Sequence, residues 1–79
     1  MTPTKLREGP YRFFFFANEG NEPPHIHVAR DDNEAKFWLD PVALAASGGF
    51  RAHELRTIQR IVEDNRDYLL EQWDEFYGR

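Results

Sequence analysis

Glu22-Pro23-Pro24-His25-Ile26-His27-Val28, followed by Glu34-Ala35-Lys36-Phe37-Trp38-Leu39-Asp40, decides how this chain folds. Neither proline has an N–H for a ladder, so the pair suits the start or the edge of a strand. Behind them Ile26 and Val28 alternate with His25 and His27, and alternation is the period of a strand. Both imidazoles therefore emerge on one face, roughly 6.5 Å apart along the chain, with the two aliphatic side chains on the other. A two-residue turn at Asp32-Asn33 makes 25–30 and 34–40 the arms of a hairpin, since both residue types tolerate positive φ. That register sets Ile26 opposite Leu39 and Val28 opposite Phe37 on a wholly apolar face. It sets His25 opposite Asp40, His27 opposite Trp38 and Ala29 opposite Lys36 on the other.

Outward from the hairpin, Tyr11-Arg12-Phe13-Phe14-Phe15-Phe16 reads as a third strand, too short for a helix and rich in rings that suit a pleated surface. Tyr11, Phe13 and Phe15 share one face; Arg12, Phe14 and Phe16 share the other. Asn18 to Pro24 has the chemistry of a loop. After Pro41, Val42 to Ala46 reads as a short helical turn ended by Ser47-Gly48-Gly49. From Ala52 to about Tyr77 the apolar residues Leu55, Ile58, Val62, Leu69, Trp73 and Phe76 recur at helical spacing, and polar Asn65 interrupts the stripe. The expected fold is α+β: a small three-stranded, largely antiparallel sheet (11–16, 25–30, 34–40) with one long C-terminal amphipathic helix packed on one face.

Seventy-nine residues make one domain with a small core. The absence of cysteine excludes disulfides and thiolate zinc sites, so a metal would need histidine and carboxylate ligands. Residues 1–10 do not read as a signal peptide and no run is long enough to span a bilayer, which predicts a soluble, cytoplasmic protein without a membrane partner. The net charge of −4 is spread evenly, unlike the basic stripe of a dominant nucleic-acid binder. Aromatic residues make up 15% of the chain, more than a small core needs, so some rings are expected at an interface.

One sheet face meets the helix. The other would carry His25, His27, Lys36, Trp38 and Asp40, with Arg12 and Phe14 beside them, which is an odd surface to leave in water. Two same-face histidines suit several chemistries, because imidazole titrates near neutrality and also ligates metals. Surface decoration and a hydrogen-bonded structural pair are the plain alternatives.

The Pro23-Pro24-His25-Ile26-His27-Val28 segment, the strand at Glu34-Ala35-Lys36-Phe37-Trp38-Leu39 and Arg51-Ala52-His53-Glu54-Leu55 resemble a small bacterial family, domain of unknown function 4160 (DUF4160). The resemblance covers nearly the whole chain. Such proteins are commonly encoded beside members of the family called domain of unknown function 2442 (DUF2442), in what looks like a type II toxin–antitoxin pair. The resemblance implies a growth-inhibiting toxin and a cognate antitoxin partner, with His25-Ile26-His27 as the matching functional segment and no settled catalytic residues.

Within that frame the expected action is binding: the His-x-His face, with Ile26, Lys36, Trp38, Asp40, Arg12 and Phe14, would occupy a cellular target, bind the antitoxin or form a homodimer. The enzymatic alternative is a ribonuclease, with His25 and His27 as tentative catalytic acid and base on RNA, or His53 as the second partner. Arg12 or Lys36 would stabilise charge and Trp38 would stack on a base. A third reading places Zn²⁺ or Mn²⁺ on His25, His27 and Asp40. Nothing in the sequence demands catalysis or a cofactor.

Overall fold

The alternation along residues 25–39 does produce an antiparallel hairpin, and the rest of a sheet is laid against it. The computed structural model describes residues 4–78 of the chain. Five strands, β1 (Thr4–Glu8), β2 (Tyr11–Phe14), β3 (His25–Arg30), β4 (Asn33–Leu39) and β5 (Val42–Gly48), precede two helices, α1 (Ala52–Asp64) and α2 (Arg66–Tyr77). The strands form one antiparallel sheet in the order β1-β2-β3-β4-β5. The class is α+β, but the expected three-stranded sheet with one long helix is wrong on both counts.

Each correction has a local cause. β1 has a single apolar residue, Leu6, which alone gives no period to read; Gly9, at φ 57°, turns it into β2. Val42 to Ala46 is alanine-rich and locally helix-prone, yet it forms a strand. The turn at Asp40-Pro41 returns the chain along β4, whose outer backbone groups need partners. The ladder pairs Lys36 with Ala46 and Phe37 with Leu44, so Ala45 is left out of register as a bulge. The helix breaks at Asn65, whose backbone sits at φ −112° and ψ 14°. Its side-chain amide donates to the Ile61 carbonyl at 2.8 Å, competing with the helical ladder, and its own carbonyl accepts from Leu69 N–H to restart the helix.

The hairpin register is also corrected. Arg30 pairs with Asn33, so the turn is Asp31-Asp32, with Asp31 at φ 54°. Ile26 therefore faces Phe37, Val28 faces Ala35, His25 faces Trp38 and His27 faces Lys36. Moving the turn by one residue moves the pairing by two, and a shift of two keeps every side chain on its face. The apolar face survives intact. Ile26, Val28, Phe37 and Leu39 are fully buried with Phe13, Phe15, Ile58, Val62, Leu69 and Trp73, while Leu55 packs on the margin. Among the described residues no helix is long and apolar enough to cross a membrane.

Leu69→Ala is expected to cost roughly 2–5 kcal/mol, because it empties a closed part of this core. Leu44→Ala, at a side chain 43% exposed, should change stability by under about 0.5 kcal/mol. Thermal melts of the two variants check this, and equal melting temperatures would mean that α2 is not docked.

Candidate functional site: a carboxylate shared by two histidines

Pro23 and Pro24 bring the chain onto the sheet, where the Pro24 carbonyl accepts from Leu39 N–H at 3.0 Å, and β3 begins at His25. The imidazoles of His25 and His27 lie on one face with ring centres 5.2 Å apart. That face is not left to solvent. The segment between β2 and β3 crosses it, and His25 is 0% and His27 7% exposed. Phe14 stacks on the His27 ring, Phe16 meets its edge, and Trp38 and Trp73 both contact His25.

Two buried imidazoles need partners. Glu19, on the crossing segment, supplies them: one carboxylate oxygen, Oε1, lies 2.7 Å from His25 Nε2 and 2.7 Å from His27 Nε2. The outer nitrogens also face acceptors. His25 Nδ1 is 2.9 Å from the Pro23 carbonyl and 3.8 Å from Glu22 Oε1, and His27 Nδ1 is 3.8 Å from Glu34 Oε2.

A carbonyl only accepts, so His25 carries its proton on Nδ1. Its Nε2 then confronts a carboxylate oxygen, another acceptor. The contact holds only with a second proton on the ring, a proton on Glu19, or a metal cation between them. His27 needs no such addition, since the neutral tautomer protonated at Nε2 satisfies Glu19. Burial pushes the Glu19 carboxyl up, but the hydrogen bonds from His25 and His27 and their charge outweigh it and hold the group below its ordinary value.

Helix α2 fixes the segment that carries Glu19. Tyr77 O–H donates to the Phe16 carbonyl, and a Cβ on Gly20 would sit 2.7 Å from the Tyr77 ring. Burial, then the negative charges of Glu19 and Glu22, push the Tyr77 hydroxyl up to about 12.

The other expected site residues divide. Lys36 and Trp38 share the histidine face; Lys36 Nζ lies over the Trp38 ring and pairs with Glu22 at 2.7 Å. Arg12 lies over Phe14 on the same side. Ile26 points into the core. Asp40, expected opposite His25, is exposed at the β4–β5 turn and pairs with Arg66 at 2.7 Å; the register shift removes it from the site. His53 is exposed in the first turn of α1, with no hydrogen bond, ion pair or ring contact to either histidine. Glu19 was missed because a loop has no period to read. Its only signal was a carboxylate a few residues before two strand histidines. Beyond His27 the face opens into a depression of about 330 Å³ between β4 and β5, lined by His27, Glu34, Lys36, Ala46, Ser47 and Gly48.

These features define a small α+β protein with a covered histidine pair clamped by a loop carboxylate. The family profile described as Domain of unknown function (DUF4160) matches residues 11–74, and the chain belongs to that family. The matched stretch contains Glu19, His25 and His27. Neither a curated protein nor a solved structure matches the chain significantly.

Because the folded state holds Glu19 below its ordinary value of 4.5, the clamp stabilises the protein above that pH and loses its effect as pH falls through the folded value. Glu19→Gln should therefore melt lower than wild type at neutral pH and show a shallower loss of stability on acidification. Superimposable plots of melting temperature against pH would show that the histidines do not hold this carboxylate. Gly20→Ala should also lower the melting temperature, by forcing the Glu19 segment away from Tyr77.

Proposed function

We propose that this chain is a cytoplasmic, growth-inhibiting toxin of a type II toxin–antitoxin pair, acting by binding rather than by cutting RNA. The biological class rests on the resemblance carried by Pro23-Pro24-His25-Ile26-His27. The mode of action rests on one observation: β5 is an open edge of seven residues, Val42 to Gly48, without a charge or a proline inside it. Such an edge pairs readily with a strand from another chain. It borders the depression at His27, Glu34 and Lys36, where side chains of an added strand would be selected. A DUF2442-type antitoxin, a cellular target and a second copy of the chain are the partners this edge suits.

Ribonuclease action is the weaker reading for a geometric reason. Both Nε2 atoms are engaged with Glu19 and both rings are covered, so neither is presented to a phosphate. Lys36 is held by Glu22 and Arg12 by the Phe14 ring.

The paired substitution Ala46→Lys and Ser47→Lys places charges on the exposed edge. It should weaken the complex with the product of a neighbouring antitoxin gene by at least roughly tenfold, and relieve growth inhibition, with the melting temperature nearly unchanged. Co-purification and a growth assay read the result. A variant that still binds and still inhibits, or a purified wild type that degrades RNA, overturns the proposal.

A further inference from the structure

His25 Nδ1–H donates to the Pro23 carbonyl, so in the neutral ring the Nε2 lone pair is aimed at the Glu19 carboxylate. His27 is oriented in the same sense, with Nε2 towards the same oxygen and Nδ1 on the side of the Glu34 carboxylate, 3.8 Å away. Inner nitrogens converging on a carboxylate and outer nitrogens facing carbonyl or carboxylate acceptors is how metal-ligating histidines are oriented.

We propose that Glu19, His25 and His27 form a site for a divalent first-row transition metal, with zinc as the reference ion. The ligands are the Nε2 atoms of both histidines and one Glu19 oxygen, which all lie within 4.8 Å of one another. Tetrahedral bonds of roughly 2.0–2.1 Å place neighbouring ligand atoms about 3.3 Å apart. The 2.7 Å contacts must therefore open by about half an ångström. Glu19 provides that freedom, being on a loop with its side chain 25% exposed, whereas the histidines are fixed on β3.

Charge favours a dication. Glu19, Glu22 and Glu34 each stand within 3.8 Å of an imidazole nitrogen. Among the described residues, Lys36 is the one lysine or arginine that forms an ion pair with any of these three carboxylates. With both histidines neutral, as ligation requires, the three carboxylates and Lys36 leave two negative charges, which one divalent ion would balance. The imidazole ligands select zinc, cobalt, nickel or iron over magnesium and calcium, which prefer oxygen alone. The indole N–H of Trp73, buried against the His25 ring and without an acceptor among the described residues, would find one in a water completing the coordination. The site does not rest on the proposed binding edge at β5, although His27 and Glu34 also line the depression beside that edge.

The test is a titration of the full chain, stripped with chelator, with cobalt(II) and then zinc. The expected result is visible cobalt absorption that saturates at one equivalent, is bleached by zinc, and is accompanied by a rise in melting temperature. Glu19→Gln and His27→Ala should each weaken binding by more than the roughly 10–100-fold that loss of an outer-shell partner costs. His53→Ala, at an exposed helix position, should bind as wild type does. Glu19→Gln lies outside the core and keeps the test valid if His27→Ala fails to fold. Less than about a tenth of an equivalent bound by wild type, or unchanged affinity in Glu19→Gln, overturns the proposal.

Discussion

Burial of both faces of β3 is the constraint on which this small structure depends. On one face Ile26 and Val28 enter a conventional apolar core beneath the helices. On the other, two imidazoles lose water, and polar groups taken from water must be hydrogen-bonded or they destabilise the fold. Glu19 satisfies both, but it is carried by a loop. The loop in turn needs Gly20 to pass Tyr77, and Tyr77 to hold the Phe16 carbonyl. A requirement set at the centre of the sheet is thereby transmitted to the last turn of α2.

The break at Asn65 belongs to the same chain of dependence. α1 runs over β4 and β5, covering the core with Ile58 and Val62. α2 contributes Leu69 and Trp73. Trp73 packs on Phe15 from the apolar side and on His25 from the polar one, so a single indole joins the two buried layers. Arg66, immediately after the break, donates to the Leu39 carbonyl and pairs with Asp40, tying the start of α2 to the β4–β5 turn.

The sequence made the two faces of the hairpin legible because a period of two survives any even shift in register. It did not fix the register itself, because Asp31-Asp32 and Asp32-Asn33 are equally good turns by composition and both give an unbroken apolar face. That ambiguity carried Asp40 into the expected site, while Glu19 was left out because it sits on a loop without a period. The helical stripe was readable, and its interruption at Asn65 marked where the ladder breaks. β1 and β5 were not readable: the first has one apolar residue, and the second consists of small residues whose local preference is overruled by the open side of β4.

The two ends of the sheet differ in kind. β1 carries Lys5, Arg7 and Glu8, and the Lys5 carbonyl is already taken by the Tyr68 hydroxyl of α2. β5 carries no charge at all. A sheet open at both ends can polymerise, because each added subunit presents a fresh edge to the next. A sheet open at one end can add a single neighbour and then stops. If that neighbour is a second copy, the pairing is edge to identical edge about a two-fold axis, which closes the assembly. Charges on an edge strand disfavour further pairing there, so a complex built on β5 would be expected to stay finite in size.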